Sequence, residues 1–316
     1  MKERVLTGLM IFLVLVFSFL ARELSLYVFD AFVIFVCIIG AHETSKLLAY
    51  MGYFNSNIFA IVYPILSYTL LLVTILTKTT LIYAVLWQFV LLIALMAINF
   101  VLHLLAKKTT NNEIKTRNYK ESLTKFAIMK TLHTVFAMLY PTVLLMSLVL
   151  LNRISGIGLV TLTVENPNLL GLVALLFAFL IPIFTDMFSM LTGTVIGGKK
   201  LCPKISPNKT IAGAVGGVIF SVLIMLCIYF LLGAFGVFEE LFFVIGLKFW
   251  HVIIITLVGS AICNVGDLFE SFLKRKAKVK DSGTLLPGHG GMLDRIDSHT
   301  ANAPWVLLFF VLLLVI

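Results

Sequence analysis

Charge is what this sequence has least of. Only 12% of its 316 residues are Asp, Glu, Lys or Arg, against 60% hydrophobic, whereas soluble domains carry about a quarter charged residues. Together with a mean hydropathy of +1.08, this scarcity excludes a single water-soluble core. Cysteine is also sparse. Cys37, Cys202, Cys227 and Cys263 lie in or beside apolar runs, with no CxxC or CxxxC spacing. That pattern argues against thiolate–metal centres and disulfide scaffolds and leaves small apolar packing as their role. Zinc-finger, helix-turn-helix and RNP-like patterns are missing, so the net charge of +9 is not a sign of nucleic-acid binding. The basic residues sit between apolar runs, where membrane topology and anionic substrates account for them. Internal repeats and low-complexity linkers are absent too. So is the period-two alternation that a closed barrel needs, which makes the apolar runs helices.

What is present is a series of apolar runs near residues 4–21, 25–50, 57–77, 80–106, 127–151, 168–195, 210–235, 243–273 and 303–316. They predict an all-α polytopic membrane protein of about nine transmembrane helices, about 20 residues each. Lys2 and Arg4 precede the first run as in a signal peptide, but the run exceeds an h-region and reads as an uncleaved first span. With the N-terminus in the cytoplasm, Arg22, Lys78, Arg153 and Lys248 are the only basic residues left outside, a strong inside-positive bias. Three polar segments then face the cytoplasm: 107–126, 197–209 and 274–302. The first carries Lys107, Lys108, Lys115, Arg117, Lys120 and Lys125 and reads as a solvated, inside-retaining loop.

Chemistry concentrates at the ends of the sixth and eighth spans. Asn264, Asp267, Ser271 and Lys274 recur at spacings that stack them on one helix face, with Glu270 beside them. Two acids near the end of a membrane helix are costly unless they meet a cation, a partner charge or water. In the following segment Gly283, Gly288, Gly290 and Gly291 allow backbone amides to approach phosphate. Lys274, Arg275, Lys276, Lys278, Lys280 and Arg295 supply positive charge, and Asp281, Asp294 and Asp297 supply hard oxygen ligands suited to Mg²⁺. That mixture serves metal-assisted phosphoryl or nucleotidyl chemistry. In the second block Asp186 and Ser189 share a face, and Lys199, Lys204 and Lys209 form a basic connector. Ser206 before Pro207 is either a turn residue capping the next helix or a substrate contact. His103, His133 and His251, inside apolar spans, read as interhelical hydrogen bonders, and His42-Glu43 as a solvated helix end.

From Ser271 to Asp297 the sequence resembles the integral-membrane phosphatidate cytidylyltransferase (CDP-diacylglycerol synthase) family. Its pattern S-x-x-K-R-x4-K-D-x-G-x2-L-P-G-H-G-G-x-x-D-R-x-D is met at every fixed position. Gly266-Asp267-Leu268 fits the family's G-D-L. The stretch Asp186 to Gly193, then Gly197, Gly198, Lys199, Ile205 to Thr210 and Gly213, resembles its D-x-x-A-Y-x-x-G…G-(K/R)…I-S-P-x-K-T-x-E-G block. The departures are Ala212 for Glu, Asn264 for Gln and Met190 for Tyr.

Without internal repeats or linkers, the chain reads as a single integral domain: residues 1–151 as N-terminal helices, 168–302 as the catalytic region and 303–316 as the last helix. The resemblance implies the reaction of CTP with phosphatidate to CDP-diacylglycerol and diphosphate; the Lys and Arg distribution places it at the cytoplasmic face, and the compact chain points to a bacterial plasma membrane. Mg²⁺, alone or with a second cation, is expected on Asp267 and Asp294, with Asp297 as a further ligand or orienter. Lys274, Lys280, Arg295, His289 and Asp297 are the expected catalytic residues. Ser271, Arg275, Gly288, Gly290, Gly291, Ser206, Lys209 and Asp186 are the expected substrate contacts, with Asp186 either closing the metal site or pairing with Lys209. The expected partners are CTP, phosphatidate and membrane lipids, without nucleic acid, and a homodimer is one assembly open to the chain. Competing readings are a CTP-dependent enzyme on an ether lipid or polyprenol, an anion transporter, and a non-catalytic relative motivated by Ala212.

Overall fold

The computed structural model describes residues 2–77, 81–106, 122–156, 167–234 and 246–315. Lys78 and the basic residues of 107–120 lie outside the described residues. Among those described, nine helical stretches are long and apolar enough to cross a membrane. They are α1 (Lys2–Leu24), α2 (Leu26–Tyr50), α3 (Asn57–Leu76), α4 (Leu81–Leu105), the pair α5 (Leu123–Leu139) with α6 (Thr142–Asn152), α7 (Pro167–Ile196), α8 (Ile211–Ala234), α9 (Phe249–Lys276) and α10 (Leu293–Val315). The protein is therefore a helical multi-pass membrane protein. Two boundaries differ from expectation. The fifth span is broken where Tyr140 turns extended ahead of Pro141, because proline lacks the N–H a continuing helix needs and disfavours helical backbone before it. The last helix starts at Leu293 rather than near residue 303, so Asp294, Arg295 and Asp297 belong to a helix and not to a loop.

The main core joins α2, α6, α7, α9 and α10 through Phe29, Leu148, Ala174, Cys263 and Phe310. Cys37 and Cys263 are buried there as small apolar residues. Helix α4 stays peripheral, with most side chains exposed. Close approach holds α7 against α8. A Cβ at Gly213 would lie 2.6 Å from the Ser189 carbonyl oxygen, and one at Gly217 would strike the Ser189 side chain.

A hairpin of β1 (Lys200–Cys202) and β2 (Ser206–Thr210), paired Lys200 to Thr210 and Cys202 to Ser206, links α7 to α8. Ser206 opens β2, and it is Thr210 whose Oγ1 accepts from the Gly213 N–H at 3.0 Å and caps α8. Of the histidines within the spans, His103 reaches Ser56 Oγ at 3.0 Å and His133 the Phe54 carbonyl at 3.2 Å. His251 differs from expectation: it accepts from the Lys248 N–H of its own helix start.

A buried polar network ties α1, α2, α3, α6 and α7 together. Arg22 donates to Asn152 Oδ1 and the Asn168 carbonyl, both at 2.7 Å. Arg153 and Asn152 donate to Asp30 at 2.7 and 2.8 Å, and Tyr68 donates to it at 3.0 Å. Charges this deep persist because each is paired, and Gly171 leaves the space Arg22 needs.

Candidate functional site

The predicted stripe lies on α9, and the structure brings the ends of α2, α7 and α9, the start of α10 and the β1–β2 hairpin to it. Ser271 Oγ donates to Asp267 Oδ1 at 3.3 Å, one turn away on α9. Lys209, at the end of β2, is ion-paired with Asp267 and also acts electrostatically on Asp186. Further along the helix, Lys274 bridges two carboxylates, Glu270 Oε2 at 2.7 Å and Asp294 Oδ1 at 2.6 Å. Glu270 is fully buried, and without that ammonium it would be an uncompensated charge.

Asp294 shapes the glycine-rich segment. Its Oδ2 accepts from the backbone N–H and hydroxyl of Ser282, at 2.8 and 3.0 Å, and from the Gly291 N–H at 2.7 Å. Gly288 and Gly290 take φ of 73° and 86°, the left-handed region that glycine enters without steric cost. A tight turn results, in which Leu286 N–H donates to the Gly290 carbonyl and His289 N–H to that of Leu286, both at 2.9 Å. The turn rests on α1, where Thr7 Oγ1 donates to the Pro287 carbonyl at 2.9 Å and Gly8 faces the His289 ring.

Glu43 overturns its reading as a solvated helix end. It is 4% exposed and accepts from Met292 N–H at 3.0 Å, Leu293 N–H at 2.8 Å and Ser282 Oγ at 3.0 Å. The Met292 and Leu293 N–H groups stand at the start of α10, where backbone donors have no partner within their own helix and favour a carboxylate. Ser282 Oγ lies within reach of both Glu43 and Asp294 and has one proton to share between them. The residue was legible in principle, since an acid inside an apolar span needs a partner. Its partners lie some 240–250 positions away in sequence, and nothing local announces them.

Behind the loop, Asp186 on α7, Asp267 on α9 and Asp297 on α10 act on one another electrostatically. Ser298 stitches two of them together, its N–H donating to Asp297 at 2.8 Å and its hydroxyl to Asp186 at 3.3 Å. Among the described residues no three His, Cys, Asp or Glu side chains stand as a formed metal site. The donor chemistry still fits a hard divalent cation: Asp186, Asp267 and Asp297 lie near enough to feel one another's charge, and Lys209 pairs directly with Asp267. Lys280, Arg295 and Gly288 are exposed. Arg275 donates to the Ile205 carbonyl at 3.1 Å, holding the hairpin that carries Ser206 and Lys209 against α9.

The Cytidylyltransferase family profile matches residues 2–313. Similar curated proteins include the phosphatidate cytidylyltransferase of Staphylococcus epidermidis, 42% identical over 134 residues, which are 42% of this chain and 47% of that protein. The enzyme of that name from Staphylococcus saprophyticus is 42% identical over 134 residues, with the same coverage of both chains. That of Brucella abortus is 38% identical over 155 residues, 49% of this chain and 52% of that protein. These aligned stretches span about half the length of each relative. The family profile runs through all the helices that build the site, from α1 beneath the glycine turn to α10 above it, and the chain belongs to the Cytidylyltransferase family.

Proposed function

We propose that this protein is a phosphatidate cytidylyltransferase, which transfers the cytidylyl group of CTP to phosphatidate and releases diphosphate. One observation carries the reading. A glycine loop organised by Asp294, Lys274 and Glu43 stands beside the carboxylates Asp186, Asp267 and Asp297. A phosphate-approaching backbone next to clustered hard oxygen donors is what nucleotidyl transfer between two phosphates requires. The names of the curated relatives support the same lipid and nucleotide.

In this mechanism a phosphate oxygen of phosphatidate attacks the α-phosphorus of CTP. The new P–O bond forms as the bond from the α-phosphorus to the bridging oxygen breaks, and diphosphate leaves with that electron pair. Lys280 and Arg295 neutralise the triphosphate, and the backbone of Gly288 and Gly290 cradles it. His289, steadied on α1, donates to a phosphate oxygen. Lys209 and Ser271 orient Asp267, and Ser298 orients Asp186 and Asp297, so that these three carboxylates would hold Mg²⁺. Bound there, the ion neutralises charge on the transferring phosphoryl group. Asp294, expected as a ligand, is assigned instead to ordering the loop, because it accepts from the Ser282 and Gly291 backbone of that loop and pairs with Lys274.

The inside-positive distribution of Lys and Arg supports a cytoplasmic site in the plasma membrane. There cytosolic CTP and a lipid headgroup reach one place. Incubating the detergent-purified chain with α-labelled CTP, phosphatidate and Mg²⁺ tests the reaction. Label is expected in a lipid product. Label confined to soluble nucleotides overturns it.

A further inference from the structure

Helix α9 has a second working face. Turned away from the Asp267–Lys274 stripe, it lines an apolar groove of about 590 Å³ that Tyr140 at the α5–α6 break and Asp297 on α10 complete. Leu257, Ala261, Val265 and Phe269 run along it and are exposed, so it opens sideways to the surrounding bilayer. Its back is closed where α9 meets α10: a Cβ at Gly266 would lie 2.5 Å from that of Ala301. The groove has a direction. Leu257 lies deep in the span, whereas Phe269 and Asp297 lie at the candidate site. From Leu257 to Phe269 the helix rises about 18 Å, just over half of the ~30 Å hydrocarbon thickness of a bilayer. That is the depth of one leaflet, the length an acyl chain occupies.

A polar observation marks the same end. Tyr140 is 8% exposed, and its hydroxyl has no hydrogen-bond partner among the described residues. It stands near enough to Asp267, Glu270 and Asp297 to feel their charge. A buried phenol without a partner is costly unless a ligand accepts its proton.

We infer that this groove holds an acyl chain of the lipid substrate, with Tyr140 Oη donating to an oxygen at its ester or phosphate end. The inference rests on the proposed reaction for the identity of that lipid, and it makes Leu257 and Ala261 determinants of chain length. The other occupant of an open apolar groove is a second copy of the chain. Continuity with Asp297 and the unpartnered phenol favour the lipid, because a helix from a second copy has no reason to begin at the carboxylate cluster.

The test uses the full chain in detergent micelles and phosphatidate bearing a photoreactive diazirine at the acyl terminus, a readout independent of turnover. Crosslinks are expected within 257–269, suppressed by excess unlabelled phosphatidate. Ala261→Trp fills an exposed position and should cut that labelling about tenfold, the scale on which a pocket rejects an ill-fitting apolar group. Label spread over peripheral surfaces such as α4, or unaffected by competitor, overturns the groove. In turnover with labelled CTP, Ala261→Trp should lose dioleoyl-phosphatidate while keeping dioctanoyl-phosphatidate. An equal fall for both lipids overturns the length role. Tyr140→Phe keeps the ring and should raise KM for phosphatidate about fivefold to tenfold, the worth of one neutral hydrogen bond, with KM for CTP unchanged. If Ala261→Trp shifts the oligomeric state and leaves labelling intact, the groove belongs to a second copy. Specific groove labelling without any CTP turnover would leave the lipid site standing and defeat the reaction.

Discussion

Glu43 accepts three hydrogen bonds with two oxygens, and this arithmetic decides what replacing it should do. Gln has the same size but a single acceptor oxygen, so its amide nitrogen must face either the Met292 or the Leu293 N–H. A buried donor left facing another donor costs about 1–3 kcal/mol. Glu43→Gln should therefore loosen the start of α10 and the glycine turn attached to it. The expected result is a fall in kcat/KM for CTP of about a hundredfold, near 2.7 kcal/mol, with KM for phosphatidate unmoved. Steady-state kinetics with each substrate varied checks this; wild-type kinetics would remove Glu43 from the loop's support. Lys274 poses the complementary case. Lys274→Met strands Glu270 and Asp294 together, and breaking a buried pair this way costs about 3–5 kcal/mol. Adding Glu270→Gln should restore much of the thermal stability in detergent without restoring turnover, because Asp294 still lacks its cation. Recovery of activity in the double variant would show that Lys274 serves the fold alone.

Helices α7 and α8 form the tightest helix pair at the site, and they position it from both sides. Asp186 rides on α7, while Lys209 leads directly into α8. Their contact uses Gly213 and Gly217, four residues apart, the spacing by which membrane helices bring their backbones together. A Cβ at Gly217 would also lie 2.8 Å from the Thr185 carbonyl oxygen. Gly217→Val should thus force the pair apart, destabilising by about 1–3 kcal/mol and lowering turnover. Gly233→Val, on the same helix with open space beside it, should do neither. Thermal unfolding of both variants separates local overpacking from a general intolerance of valine in α8. That spacing stood in the sequence, as did most span boundaries, because about 20 apolar residues are what a bilayer demands. The start of α10 was hidden for a physical reason. Asp294, Arg295, Asp297 and Ser298 depress hydropathy as a loop would, yet each carboxylate here is answered by Lys274, Ser282, Gly291 or Ser298. The break at Pro141 was likewise masked by the apolar residues on either side. Within the site, the residue types and their spacing along α9 were legible. The pairings Lys209–Asp267 and Glu43–Leu293 were not, since they cross between elements remote in sequence.

Across the whole molecule, polarity gathers at two opposite ends. One end holds the candidate site and the other the Arg22–Asn152–Asp30–Arg153 network; the helices between them carry uncharged polar contacts such as Thr185 to Ser260. This division sharpens the charge bias from which the orientation is proposed. Of the basic residues left on the far side, Arg22 and Arg153 are buried and paired, and Lys248 lies 4.8 Å over the Trp250 ring. Three of the four exceptions are thus held in place by the fold, and the fourth, Lys78, lies outside the described residues. Orientation matters for the chemistry, because CTP is confined to the cytosol while the far face meets none. Two exposed positions test it in a variant without native cysteines: Lys199→Cys beside the hairpin, and Thr77→Cys at the end of α3. An impermeant maleimide should label position 199 only in inside-out vesicles and position 77 only in right-side-out ones. The reverse pattern would place the glycine loop and its carboxylates where no CTP can reach them. The proposed transfer would then fail on topology alone, whatever the purified chain did in detergent.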